Sequence, residues 1–227
     1  MIGRGVAVTT LVMALVPPVL AGGQYEVQDA ALVERGACEF ELWHVDVRKG
    51  GHGTWLAPTC GLAGQQQISV TAGQEHEGGE RNAVAGVEWM LVPRSVDEHD
   101  LGYGLRLGAE YREESGRVAE FHALFPVSLR LSHAGVMVHG NLGFSHDRDA
   151  RRRSAMTWGV AGDFPVGFNT TLVAEMSGNS RSGEHPLLQV GPSMALVDGH
   201  VVVDLTYGRV LGGDRDEHWA VGFSLAF

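Results

Sequence analysis

The chain has 227 residues and carries 17 Lys and Arg against 27 Asp and Glu, which gives a net charge of −10. This acidic balance argues against nucleic acid as a partner, because neutralising phosphates requires a clustered basic surface. Glycine accounts for 32 residues, which disfavours a helical bundle, since each glycine inside a helix costs about 1 kcal/mol relative to alanine.

The first 21 residues have the layout of a secretory signal peptide. Arg4 supplies the positive charge, an apolar run follows, and Val19-Leu20-Ala21 ends it with the residues that signal peptidase reads. A retained membrane anchor is the alternative, but the run is short and Pro17-Pro18 interrupts it. We therefore expect cleavage after Ala21, a periplasmic segment at 22–36 and a barrel domain at 37–227.

From about residue 37 onwards, apolar and polar residues alternate in runs of roughly 8 to 13 residues, which is typical of β-strands. The first run loses its alternation near Trp43, which suggests a bulge. Longer charged loops alternate with turns that look tight, such as Asp198-Gly199 and Pro165-Val166. With about twelve such runs and no helical stretch or linker between them, the sequence predicts an all-β fold, a closed up-and-down antiparallel barrel.

The two faces of these strands differ in a way that indicates a membrane protein. One face is continuously apolar, and the other is mostly small or weakly polar with scattered charges. A closed barrel places the first against lipid and the second around a lumen. Aromatic residues near the strand ends fit two interfacial girdles, with Trp55, Tyr111, Phe144, Tyr207 and Trp219 at one rim and Tyr103, Phe164, Phe168 and Phe227 at the other. The lipid face looks uniformly apolar without a marked polar seam, so the sequence does not reveal the oligomeric state.

Ionisable side chains on the second face are candidates for lining the lumen. They could form a polar path that selects solutes, or they could pair across the interior and fill it. The residues alone leave both interpretations open. The candidates are Glu88, Arg106, Glu110, Arg112, Glu120, His122, Arg130, His139, Glu175 and Asp204.

Cysteine and histidine are the residue types that could form a disulfide or bind a metal. Cys38 and Cys60 are the only cysteines, near the periplasmic ends of the first two predicted strands. Export makes a disulfide chemically feasible, and two unbonded buried thiols are the alternative. The 11 histidines contain no closely spaced pair, so neither a metal site nor a cofactor is predicted.

Lipid-modifying barrel enzymes are a further functional alternative. Such enzymes place a histidine two residues before a serine nucleophile, so that both side chains leave the same face of one strand. The sequence holds no His-x-Ser, and Ser132-His133 and Ser145-His146 are adjacent, which sends their side chains to opposite faces. No catalytic residue is predicted, and the expectation is that the protein is not an enzyme.

The C-terminal strand resembles the signal by which outer-membrane barrels are recognised for insertion. It alternates and stops at a terminal aromatic residue, with Trp219, Val221, Phe223, Leu225 and Phe227 on one face. The resemblance implies the barrel-assembly machinery as a partner and the outer membrane of a Gram-negative-type bacterium as the location. Outer-membrane lipid and lipopolysaccharide would then surround the barrel. The Arg151-Arg152-Arg153 run of a predicted outer loop is interpreted as a solvated charge run, with contact to lipopolysaccharide phosphates as the alternative.

A finer resemblance concerns the opening hairpins. The run Glu34-Arg35-Gly36, then Glu39-Phe40-Glu41-Leu42, Trp55, Pro58 and Gly61-Leu62 before Ile68-Ser69-Val70 is similar to the MetA-pathway phenol-degradation family of outer-membrane proteins. The likeness would cover about residues 30 to 227. It implies uptake of small, hydrophobic molecules and supplies no catalytic residue.

The sequence therefore predicts a narrow outer-membrane channel or transporter for small molecules whose identity the residues do not reveal. A barrel with a plugged lumen, acting in structure or adhesion through its outer loops, is the first alternative. A lipid-modifying enzyme is the second.

Overall fold

The computed structural model describes residues 25–48, 50–131, 135–197, 200–212 and 217–227. The predicted signal peptide, residues 1–21, lies outside these ranges. Within them no helix is long and apolar enough to cross a membrane. The strands are β1 (Cys38–Val47), β2 (Gly51–Gly61), β3 (Gln66–Glu77), β4 (Glu80–Arg94), β5 (Leu101–Arg112), β6 (Arg117–Arg130), β7 (Met137–Asp147), β8 (Ser154–Gly167), β9 (Thr170–Asn179), β10 (Leu187–Leu196), β11 (Val201–Val210) and β12 (Glu217–Ala226).

These strands form a single closed antiparallel sheet. Each strand pairs with its neighbours in sequence, and β1 closes the ring on β12, with Leu42 opposite Phe223 at the seam. Closure leaves no edge of unpaired backbone groups, which is what a strand-built membrane protein requires. The predicted fold, a closed up-and-down antiparallel barrel of about twelve strands, is confirmed.

The outer face of the barrel is largely apolar, as the alternation predicts. On β12 the outward side chains Trp219, Val221, Phe223 and Leu225 are 37–54% exposed, whereas Ser224 between them is fully buried. The same contrast recurs on the other strands, with Leu, Val, Phe and Met side chains exposed in a protein that buries its small and polar residues. An exterior of this kind suits contact with lipid rather than water.

Two expectations about β1 and β2 are wrong. No bulge occurs in β1, because its pairing with β12 runs without a break from Glu39 to Val47. The alternation looks broken because Trp43 faces the lumen, where it stacks on Trp55 with ring centroids 6.0 Å apart. Trp55 therefore belongs to the inner wall and not to an outer aromatic girdle.

The predicted turn at Pro165-Val166 also differs from the structure. Both residues continue β8, and the turn to β9 is made by Phe168 and Asn169, whose φ angles are 53° and 56°. Successive left-handed residues are those of a tight two-residue hairpin. The other predicted turn, Asp198-Gly199, lies outside the described residues.

Cys38 and Cys60 face each other across β1 and β2 and form a disulfide. Replacing both with Ala is expected to lower the free energy of unfolding by about 3 kcal/mol. The bond joins residues 22 positions apart and so restricts the conformations of the unfolded chain. The measurement is the urea midpoint at which the folded, fast-migrating gel band disappears. The parent chain with the bond chemically reduced is the control and should unfold at the midpoint of the double variant, whereas equal midpoints for the double variant and the oxidised parent chain would contradict a stabilising bond.

Candidate functional site

The predicted lumen residues all lie on the inner face of the barrel. Their cross-strand partners include buried residues such as Ser69, Val84 and Met90, and the apolar exterior occupies the alternate positions. The structure divides them among separate networks along the barrel. We call the end of the barrel that carries Cys38 and Phe227 the terminal end, and the opposite end the loop end.

The network nearest the loop end is centred on the Arg112 guanidinium. Its nitrogens lie 2.8 Å from Glu110, 3.0 Å from Glu120 and 3.1 Å from Asp147, with atoms Oε1, Oε2 and Oδ2 as the respective acceptors. One guanidinium therefore binds carboxylates from three successive strands. It reduces their mutual repulsion and fixes their positions at this mouth of the barrel.

A second network lies at mid-height. The Glu88 carboxylate is paired with Arg106, and Glu88 Oε1 lies 2.8 Å from His122 Nε2. Beside it is a cavity of about 70 Å³ whose lining includes Trp55, Glu88, Glu110 and His122. The cavity has room for a few water molecules, so this side of the lumen is not tightly filled.

The described residues of the N-terminal segment, 25–36, run inside the lumen. The sequence predicts a periplasmic segment ahead of the barrel and does not indicate that it enters the barrel; the domain division itself stays a prediction. The C-terminal part of the segment lies at the terminal end, where Arg35 forms a parallel bridge with Gly61. From there the Val33 N–H donates to Gln67 Oε1 at 3.0 Å, and the Ala30 N–H donates to Ser128 Oγ at 2.8 Å.

Further into the lumen, the contacts become reciprocal. The Gln28 N–H donates to Asn141 Oδ1, and Asn141 Nδ2 donates to the Gln28 carbonyl, both at 2.7 Å. The N–H groups of Glu26 and Val27 donate to the two Glu175 carboxylate oxygens at 2.9 and 3.1 Å. The segment is therefore held by specific side chains of β6, β7 and β9.

Glycine makes room for this segment where it touches the wall. A Cβ on Gly61 would overlap the carbonyl oxygens of Val33 and Glu34, and a Cβ on Gly159 would overlap the Val27 side chain. The overlap at Gly61 is with backbone, which cannot rotate away as a side chain could. The close approach of the segment at the terminal end thus requires glycine on β2.

Gly61→Val is expected to displace the segment at its entry point. Overpacking of this kind typically costs about 1–3 kcal/mol, and the displaced backbone becomes available to trypsin at Arg35. The rate of cleavage there, measured on the folded barrel in detergent, should rise several-fold. Gly140→Val is the matched control, because no atom lies near a Cβ at that position; equal cleavage in both variants would contradict the tight contact.

Ser128, His139 and Asp163 form a chain of hydrogen bonds that the sequence pattern does not indicate. Ser128 Oγ lies 2.7 Å from His139 Nδ1, and His139 Nε2 lies 3.1 Å from Asp163 Oδ2. The order of groups is that of a serine-hydrolase triad. All three residues are buried, however, and the Ser128 oxygen already accepts the Ala30 N–H. We interpret the chain as an anchor for the N-terminal segment.

One serine–histidine pair lies on the outer face. His146 Nδ1 is 3.0 Å from Ser154 Oγ across β7 and β8. Ser145 is buried on the opposite face, as the sequence predicts for adjacent residues. Among the described hydrogen bonds, none joins a carboxylate to the His146 ring, so the group that orients a catalytic histidine is not in place. Ser132-His133 lies outside the described residues.

A closed ring of strands with an apolar exterior and an ionisable interior defines a transmembrane β-barrel. The sequence matches the family described as "Uncharacterised conserved protein UCP029691" over residues 10–227, and the chain belongs to that family. The match does not test the likeness to the MetA-pathway phenol-degradation family, which stays a prediction from short motifs. No curated protein matches the sequence.

The fold is also shared with solved porin structures. A KdgM porin in complex with disordered oligogalacturonate is similar with a TM-score of 0.68 and 12% identity, over 83% of this chain and 99% of that chain. The NanC porin is similar with a TM-score of 0.62 and 8% identity, over 82% of this chain and 98% of that chain. At these identities the likeness shows a common fold, and function has to be argued from the site.

Proposed function

We propose that the protein is a narrow outer-membrane channel for small water-soluble solutes, with residues 25–36 as a constriction inside its lumen. The observation that carries the proposal is the inner wall itself, which presents ionisable side chains from Arg112 near the loop end to Arg130 near the terminal end. A wall of this kind suits hydrated solutes. The similar solved structures are porins, which supports the same class of activity. The outer-membrane location and recognition of β12 by the assembly machinery belong to this proposal.

The sign of the wall charge narrows the class of solute. Carboxylates outnumber arginines on the inner face, so the fixed charge favours cations and neutral molecules over anions. The ionisable groups of the wall give no support to hydrophobic molecules, which the family resemblance implies. The inward acids include Glu39, Glu41, Glu75, Glu88, Glu110, Glu120, Asp147, Asp163, Glu175 and Asp204, and the inward arginines include Arg106, Arg112 and Arg130.

The test is the reversal potential of the refolded full chain in a planar bilayer that separates two KCl concentrations. We expect a small conductance whose reversal potential shifts towards the potassium equilibrium potential. Heat-modifiable gel migration verifies folding, and a heat-unfolded sample is the control. A shift towards the chloride potential would contradict the assignment of solute class.

A structural or adhesion barrel with a closed lumen is the second candidate, and the hydrogen bonds that hold residues 25–36 favour it. In that case the segment is a permanent part of the core and the outer loops carry the activity. Liposome swelling by the full chain separates the two candidates, because the structural barrel passes no solute while the segment is in place. Lipid turnover by the folded protein, lost in Ser154→Ala, would instead support the enzyme alternative.

A further inference from the structure

A row of metal-ligand side chains crosses the outer face of the barrel on three neighbouring strands. Asp46 of β1 is paired with His52 of β2, and His52 is paired with His76 of β3. Side chains directly opposite each other on adjacent strands have Cβ atoms about 4.5–5.5 Å apart. We call Asp46, His52 and His76, together with the neighbouring His44, the histidine row.

The imidazole rings in the row already lie close together. The His52 and His76 rings are stacked, with centroids 4.7 Å apart and planes 10° from parallel. The His44 ring lies 5.9 Å from His52, and its Nδ1 is 2.8 Å from Thr54 Oγ1. His76 Nδ1 is buried and makes no hydrogen bond, so this ring has an unused ligand atom in a position where a polar partner is expected.

The row lies at the level of the lipid–water interface. Asp46 is paired on its other side with Trp219, an outward aromatic residue at the end of β12, and outward aromatic residues mark the interface of such barrels. Asp46 and His52 are exposed, so ions from the water phase can reach them. The uniformly apolar lipid face expected from the sequence is therefore interrupted on this side of the barrel.

We propose that Asp46, His52 and His76 bind a divalent transition-metal ion such as Zn²⁺. Two imidazoles and a carboxylate with a water molecule are an established ligand set for zinc. In the described residues no three such groups yet surround one point, and binding requires the exposed His52 and Asp46 side chains to change rotamer. Exposed side chains make such changes within nanoseconds. Both cysteines are in the disulfide and do not compete for the ion.

Spacing in the sequence conceals this set. The three residues are six and twenty-four positions apart, and only the register of β1, β2 and β3 places them side by side. The row ends at β4, where Arg81 opposes His76 and donates to Gln74. The Arg81 guanidinium repels a cation at the β4 end of the row, whereas the Asp46 carboxylate attracts one at the β1 end.

The test is isothermal titration of ZnCl₂ into the refolded, tag-free full chain in detergent, with folding verified by gel migration. We expect one equivalent of Zn²⁺ to bind. Removing a group that only orients a metal ligand lowers the metal affinity about 10- to 100-fold. His52→Ala and His76→Ala remove a ligand itself, so each should weaken Zn²⁺ binding at least tenfold.

His146→Ala is the matched control, because His146 also lies on the outer face near the loop end and bonds only to Ser154 in the described structure. Its affinity should equal that of the parent chain. The proposal is overturned if the parent chain binds no Zn²⁺, or if His52→Ala and His76→Ala bind as tightly as His146→Ala does. Neither result depends on whether the barrel conducts solutes.

Discussion

Deleting residues 25–33 is expected to raise the single-channel conductance several-fold. The segment crosses the lumen from Arg35 at the terminal end to Tyr25, which is buried among inner-wall residues. Its backbone and side chains occupy space that water and ions would otherwise fill. Because the barrel wall closes without the segment, through the β1–β12 pairing, the deleted chain should still fold. Planar-bilayer recordings of the two refolded proteins compare the conductances directly.

The control for this deletion keeps the length of the segment and replaces residues 25–33 with Gly and Ser. This chain retains the bulk of a tethered peptide but loses the Val27 and Ala30 side chains and the apolar contact of Ala30 with Met90 and Val92. Its conductance should lie between those of the other two proteins and fluctuate. If the full chain, the deleted chain and the Gly-Ser chain all conduct equally, the segment is not the constriction.

The double variant Glu175→Ala, Asn141→Ala is expected to release the inner half of the segment. Glu175 accepts the N–H groups of Glu26 and Val27, and Asn141 both donates to and accepts from the Gln28 backbone. Each buried group left without a partner costs about 1–3 kcal/mol, and every 1.4 kcal/mol is about tenfold in an equilibrium. The open state should therefore become at least about tenfold more populated, which appears in bilayer recordings as longer open times.

Ser177→Ala is the control for the double variant, since Ser177 lies on the same inner face of β9, two residues from Glu175. Its open times should match those of the parent chain. Glu175→Gln retains one acceptor oxygen and should give an intermediate result. Unchanged gating in the double variant, with the barrel folded, would show that these hydrogen bonds do not hold the segment in place.

The fold could be predicted because each strand stands between two different environments. Alternation along β12 separates Trp219 and Phe223 from Ser224, and the same contrast identifies the other strands. A period of two also assigns each side chain to a face, which is why every lumen candidate from Glu88 to Asp204 lies on the inner wall. The sequence places Cys38 and Cys60 near the same end of adjacent strands but leaves open whether they are bonded, and the register of β1 and β2 sets them opposite each other.

The contacts within the lumen could not be predicted, because they depend on register and on pairs that are far apart in the chain. Glu26 is separated from Glu175 by 149 residues, and residues 25–36 have no alternation that would indicate a buried strand. The stacking of Trp43 on Trp55 and the chain from Ser128 to Asp163 arise only when neighbouring strands are aligned. Spacing rules for one strand miss such sites.

The most direct test of a segment inside the lumen is a cross-link between Ala30→Cys and Ser128→Cys in the folded, membrane-inserted protein. The Ala30 nitrogen lies 2.8 Å from Ser128 Oγ, so we predict that mild oxidation joins the two positions by a disulfide. Peptide mapping without reduction should show this bond in addition to the native Cys38–Cys60 bond. The pair Ala30→Cys, Ser193→Cys, with the second cysteine on β10 across the lumen, should remain unlinked. Equal linkage in the two pairs, or no linkage and full maleimide labelling at position 30, would contradict this placement.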